Sequence, residues 1–117
     1  LIAGGQDKNL DYKPLADALK SSSRRAETKL IILFGENKKK IQKAVSNSGI
    51  KIVLVNTLPQ AVESAYEYAK NLSLVHSSSS IVLFSPAATS FDMFENYADR
   101  GKKFKKIVKQ LNPHTKR

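Results

Sequence analysis

Few side chains in this sequence have the types and spacing that chemistry requires, and most of those fall in three short stretches. In SPAATSFDMFENYADRGKKF (85–104), two hydroxyl residues, Thr89 and Ser90, stand immediately before an aromatic-rich amphipathic segment. Either can cap a helix that begins there, by accepting the N–H two or three residues on. The other free N–H groups of a first helical turn, together with the helix dipole, suit a carboxylate or a phosphate. Capping needs one hydroxyl, and Ala87 and Ala88 leave room for a ligand, although tight packing also uses small residues. In GENKKKI (35–41), Lys38, Lys39 and Lys40 open a helix where the positive end of the dipole disfavours them. Three together point either to a compensating anion or to a solvated face, and Lys40, beside the apolar Ile41, is the best placed to act on a ligand. In GGQDKN (4–9), Gly4 and Gly5 allow a close backbone approach and Lys8 offers charge to a phosphate or carboxylate. A plain turn would use the same glycines.

Other chemistries are excluded or unsupported. The chain has no cysteine, which removes disulfides, thiol catalysis and thiolate metal sites. His76 and His114 are remote from each other and from any carboxylate cluster, so a zinc site is not expected. Neither phosphate-binding glycine fingerprint, G-x-G-x-x-G or G-x-x-x-x-G-K-[ST], occurs. With no paired acid and base and no nucleophile beside a partner, a self-contained catalytic site is not expected. The net charge of +10 fits polyanions of several kinds, from nucleotides to nucleic acid. Its densest cluster, Arg100, Lys102, Lys103, Lys105, Lys106 and Lys109, reads as the solvated face of an amphipathic helix. No RNA-recognition aromatic pattern, helix-turn-helix signal or zinc motif accompanies it, so a small basic nucleic-acid-binding module stands only as the alternative. A receiver-like domain shares the α/β pattern but needs clustered acidic residues, which Asp7 alone does not supply. No apolar run approaches the ~20 residues of a membrane span, and membrane insertion is not expected.

The elements that must position these stretches are legible as an alternation. LIAGG (1–5), KLIILFG (29–35), IKIVLVN (50–56) and SIVLFSP (80–86) are continuous apolar runs, the pattern of strands buried on both faces. Between them, Tyr12, Leu15, Ala16 and Leu19 have helical spacing with Asp11 as N-cap, and Ile41, Ala44 and Val45 mark a second helix. Leu58, Ala61, Val62, Ala65, Tyr66, Ala69 and Leu72 form one face of a third, with Thr57 and Gln60 as its capping box. Phe94, Tyr97, Ala98, Phe104, Ile107, Val108 and Leu111 share a stripe on the last; Gly101 on that stripe marks a close contact or a break. At 117 residues this is one α/β domain, Rossmann-like and three-layered, with a mostly parallel sheet and helices on both faces. Ligands of such sheets sit beyond the carboxyl ends of the strands, where the three stretches fall.

Taken in order, LIAGGQDKN, LFGENKKKI and SPAATSFDMFENYADRGKKF resemble the C-terminal domain of the Mur ligases, on the branch that adds D-glutamate. The resemblance spans essentially the whole chain. Its most specific part comprises Ser85, Pro86, Ala87, Ser90, Asp92, Phe94, Tyr97, Arg100, Gly101 and Phe104. A D-N-P-R stretch, which marks relatives that add diaminopimelate or lysine, is absent. The resemblance implies a 1–117 C-terminal domain cut from a longer cytoplasmic enzyme of peptidoglycan synthesis, with UDP-binding and central ATPase domains elsewhere. A start inside a strand and without methionine agrees with such a fragment. The implied reaction is ATP-dependent amide formation between UDP-N-acetylmuramoyl-L-alanine and D-glutamate, with Mg2+ held mainly by the central domain, so the isolated domain is expected to be inactive. By the same resemblance, Ser90 and the backbone of Phe91 hold a D-glutamate carboxylate, Tyr97 lines that pocket, and Lys40 pairs with a carboxylate. Asp7 and Lys8 face the nucleotide phosphates. Two departures stand out: Leu10 occupies a position where some members carry a hydroxyl residue, and Phe91 replaces the more usual leucine.

Overall fold

The computed structural model describes residues 1–6, 11–20, 28–76, 80–85 and 96–111. Its centre is β2 (Leu30–Phe34), five apolar residues that are all buried. Successive strand side chains point to opposite faces. Leu30, Ile32 and Phe34 accordingly join one core cluster, while Ile31 and Leu33 join another. β1 (Ile2–Gly4) pairs with β2 in parallel, with Ile2 opposite Ile32 and Gly4 opposite Phe34. β3 (Lys51–Leu54) pairs in parallel along the other side of β2, with Leu30 opposite Lys51 and Leu33 opposite Leu54.

Helices cover both faces. Tyr12, Ala16 and Leu19 of α1 (Lys13–Lys20) and its lead-in pack with Ile41 and Val45 of α2 (Lys38–Val45) against Ala3, Ile31 and Leu33. On the other face α3 (Leu58–His76) buries Leu58, Ala61, Val62 and Ala65 against Ile2, Ile32 and Phe34. Phe104, Ile107 and Leu111 of α4 (Tyr97–Leu111) pack on that same cluster. The expected three-layer α/β arrangement with a parallel sheet is present. Two of the expected caps are present as well, while the one expected from Thr89 or Ser90 lies outside the described residues. Asp11 Oδ1 accepts the Lys13 N–H at 2.9 Å. Thr57 Oγ1 accepts the Gln60 N–H at 3.3 Å, and Gln60 Oε1 accepts those of Asn56 and Thr57 at 2.8 and 3.3 Å.

Four expectations need correction. The run 50–56 does not form a strand buried on both faces. β3 has no paired strand on its outer side among the described residues, and it is only partly buried. The run 80–86 contributes a single bridge rather than a ladder. The Ile2 N–H donates to the Leu83 carbonyl at 2.9 Å and the Ser85 N–H to that of Ile2 at 3.0 Å. Its neighbour β1 is only three residues long, and Ile81 is left 91% exposed. Phe84 anchors the segment, lying 6.3 Å from Phe34 and stacked at 4.5 Å on Phe104, ring centroid to ring centroid. The stripe on α4 is narrower than its spacing suggests, since Ala98 and Val108 face solvent. Among the described residues Gly101 marks neither a contact nor a break: α4 runs through it, and a Cβ placed there meets none of their atoms within 4 Å.

Candidate functional site

The carboxyl ends of the strands are held together by polar contacts that begin with a buried asparagine. Asn37 follows β2, is fully buried, and uses its side chain away from the start of α2, making no cap bond there. Its Oδ1 accepts the Gly5 N–H at 2.9 Å, and its own backbone N–H donates to the Gly5 carbonyl at 3.0 Å. Its Nδ2 donates to the Tyr12 hydroxyl at 2.6 Å. The amide can be oriented only one way, because the Gly5 N–H requires an oxygen opposite it. A buried amide without such partners would cost free energy, so the three bonds fix the position as well as satisfy it.

A second tie runs to the loop after β3. The Lys38 ammonium donates to the Val55 carbonyl at 3.0 Å and to Asn56 Oδ1 at 2.8 Å. The lysine that opens α2 is thus met by protein oxygens. This supplies part of the compensation that three lysines at a positive helix end call for. Lys40 stands two residues further along α2 and is exposed. The β1 side has its own constraint. Gly4 has φ of 130°, and a Cβ there would strike the Phe34 carbonyl. The close approach that this glycine permits is therefore to β2.

Of the residues expected to bind ligand, Asp7, Lys8, Ser90 and Phe91 lie outside the described residues. Tyr97 opens α4, but its side chain lies outside them too. The helix that starts at Tyr97 is capped by Asn96, whose Oδ1 accepts the Asp99 N–H at 2.9 Å. The structure therefore joins the Gly5 peptide, two residues before Asp7, to the turn that leads into Lys40. Asn37 and the Tyr12 hydroxyl were not singled out by sequence pattern, and Lys38 only as one of the three lysines that open α2. The only local signal was a polar residue directly after a buried strand and a glycine.

Other features lie apart from the strand ends. A cavity of about 690 Å³ opens beside the amino ends of the strands, lined by Leu1, Leu15, Leu30, Tyr68 and Ile81 among others. Thr28 and Ser80 also line it. Lys102, Lys105, Lys106 and Lys109 line a shallow groove along α4, the exposed basic face expected from the sequence. Among the described residues no group of three or more His, Asp or Glu side chains could hold a metal ion. No described helix is long and apolar enough to cross a membrane.

Comparison with known proteins adds what this geometry lacks. No model of a protein family matches the chain. Individual proteins do. A UDP-N-acetylmuramoylalanine–D-glutamate ligase of Chlorobium phaeobacteroides is 40% identical over 111 residues, covering 95% of this chain and 21% of its own length. Ligases of the same name from Lactobacillus helveticus and Clostridium botulinum (strain Alaska E43) are 40% and 41% identical, each over 95% of this chain. The chain is similar to a part of these ligases. The resemblance read in the motifs is thereby shown, across nearly all of the chain's length. The chain spans about a fifth of the length of these relatives, 22% and 23% in the second and third cases. The relatives' names state a ligase and its two substrates for the whole proteins.

Proposed function

We propose that this chain is the D-glutamate-binding C-terminal domain of a cytoplasmic ligase that extends UDP-N-acetylmuramoyl-L-alanine in peptidoglycan synthesis. The observation that carries the reading is roughly 40% identity over 95% of the chain to ligases bearing that name. The strand-end architecture supports it, since that is where a parallel α/β sheet offers loops and helix starts to an anion. In the complete enzyme, a phosphoryl group passes from ATP to the carboxylate of UDP-N-acetylmuramoyl-L-alanine. The D-glutamate amine then displaces phosphate, giving an amide, ADP and phosphate.

The work of this domain is to bind and orient. Ser90 and the Phe91 N–H hold a D-glutamate carboxylate, Tyr97 lines that pocket, and Lys40 pairs with a carboxylate. Asp7 and Lys8 face the phosphates at the reaction centre. Fixing the amine against its target is where such a domain gains rate, because orientation converts a bimolecular step into a nearly intramolecular one. ATP and Mg2+ are bound mainly by the central ATPase domain, and the UDP portion by the N-terminal domain. The isolated chain performs no ligation. Through the cell wall, the enzyme contributes to cell shape and division.

The test joins this chain to UDP-binding and ATPase domains and follows phosphate release. Release should require D-glutamate, and Ser90→Ala or Lys40→Ala should raise KM for D-glutamate. An unchanged KM in both variants would sink the site assignment, and release without D-glutamate would sink the function.

A further inference from the structure

The cavity at the amino ends of the strands has no part in substrate binding under the reading above, yet the groups around it are matched to an extended chain. Resting on the reading of this chain as one domain of a longer ligase, we infer that the cavity seats the polypeptide segment immediately upstream of Leu1. That segment enters as an extended strand and lengthens β1 between β2 and the run 80–85.

The hydrogen-bond register sets this geometry. β1 bonds to its two neighbours by turns. The Leu1 nitrogen donates to the Leu30 carbonyl at 2.9 Å, and the Ile32 N–H donates to the Leu1 carbonyl at 2.8 Å. Ile2 turns the other way: its N–H donates to the Leu83 carbonyl at 2.9 Å and its carbonyl accepts the Ser85 N–H at 3.0 Å. One residue upstream of Leu1, the alternation of a parallel ladder returns to the run 80–85. The carbonyl joined to the Leu1 nitrogen then accepts the Leu83 N–H, and the N–H of that same residue donates to the Ile81 carbonyl. Among the described residues neither of these two groups has a partner.

The Leu1 nitrogen suits a peptide better than a terminus. An ammonium carries more donors than a peptide nitrogen, which has a single N–H. Leu1 is half-buried, and among the described residues only the Leu30 carbonyl meets its nitrogen. Burial pushes this ammonium below its ordinary 8.0, so the charged form is disfavoured there. The side chains agree. Alternation along a strand puts the residue before Leu1 on the face of Ile2, toward Ala65 of the same cluster and toward Ala69 and Leu72, which line the cavity. Ile81 and Leu83, 91% and 58% exposed, border the same opening. The occupant is therefore apolar next to Leu1. Being joined to Leu1, it reaches this surface without the association cost that a second molecule carries.

The chain with a free Leu1 amine is compared with the chain acetylated there, and with chains extended by acetyl-Val-Ile or acetyl-Val-Asn. The acetyl carbonyl takes the place proposed for the upstream carbonyl, so acetylation alone should slow exchange of the Leu83 amide by about tenfold relative to Ser85. Acetyl-Val-Ile should slow it at least as much and raise the urea midpoint by about 0.5 M. Acetyl-Val-Asn, which sets an amide against Ala65 and Leu72, should raise the midpoint by less than about half of that. In the ligase polypeptide that the proposed function requires, the peptide spanning 81–85 should exchange as slowly as in the acetyl-Val-Ile form.

Unchanged Leu83 exchange in the acetylated and extended forms overturns the inference. So does slow exchange in the free-amine form. If steady across concentrations, it means that the chain fills the cavity itself; if it deepens with concentration, it places a second copy there. Equal midpoints for the Ile and Asn extensions overturn the apolar seat. A ligase with slow 81–85 exchange but no D-glutamate-dependent phosphate release refutes the functional reading and leaves the seat standing. A ligase that releases phosphate but exchanges this peptide quickly does the reverse.

Discussion

Replacing Gly101 by alanine should stabilise this domain, and the reasoning can be followed number by number. Gly101 is the fifth residue of the fifteen-residue helix α4, away from both ends. Among the described residues a Cβ placed there meets nothing within 4 Å, and the backbone is not in the left-handed region. No steric term or new burial is expected, which leaves backbone entropy and helix propensity. In a helix interior these favour alanine over glycine by about 0.8–1.0 kcal/mol. With a urea m-value near 2 kcal/mol/M, that gain moves the midpoint up by about 0.5 M and the slope stays constant. The melting temperature should rise by about 4 °C. Equilibrium urea unfolding of the wild type and Gly101→Ala, followed by far-UV circular dichroism, tests this directly. A lower midpoint would refute the reasoning, since it would mean that the helix breaks at Gly101 or that another group packs against it. A stabilised domain with weakened ligase activity would place the contact on the remainder of the proposed enzyme.

Gly4→Ala should do the opposite: with φ of 130° and the Phe34 carbonyl in the way, the variant should lose at least about 2 kcal/mol in the same unfolding experiment. Phe84→Ala removes the ring between Phe34 and Phe104 and should cost about 2–3 kcal/mol, with the largest rise in hydrogen exchange at Ile2 and Ser85. The hydrogen bond from Lys13, aided by the charges of Lys13 and Lys20, holds the Asp17 carboxyl below the ordinary 3.8. Its folded pKa is depressed, so any stability the pair gives is present above the ordinary value and is lost as pH falls through the folded one. NMR titration should show Asp17 moving back up in Lys13→Met, and an unmoved Asp17 would refute the attribution.

What was legible in the sequence follows how local each signal is. α3 could be read in full because Leu58, Ala61, Val62 and Ala65 repeat at helical spacing and Thr57 and Gln60 close the box within four residues. β2 was equally plain, because five consecutive apolar residues are buried whichever face they meet. Position in the sheet was not legible. IKIVLVN and SIVLFSP carry the same run of apolar types as β2, and only the pairing decides that, among the described residues, one lies at an edge and the other holds by a single bridge. Gly101 misled for a related reason: its place on the α4 stripe suggested packing, whereas contact depends on what faces that turn in space. The candidate site divides in the same way. Its motif residues could be named from resemblance, but Asn37 binds Gly5 from 32 residues away, a pairing that no local spacing records.

The lysines at the start of α2 show how geometry refines such a reading. Three cations at a positive helix end ask for compensation, and a bound anion is one answer among several. Lys38 has another, because its ammonium lies against two oxygens of the β3 loop. Moving one cation into a structural tie weakens the case that the cluster as a whole exists for a ligand. It also sharpens the case for a division of labour in which Lys38 holds loops while Lys40, exposed on the same turn, remains the group to test against substrate. The two roles separate experimentally. Lys38→Met should lower stability and disturb the amides of Val55 and Asn56, whereas Lys40→Ala should act chiefly on the KM for D-glutamate. If Lys40→Ala instead destabilised the domain as much as Lys38→Met, both lysines would be structural. The carboxylate partner proposed for this turn would then have to be sought elsewhere among the strand-end loops.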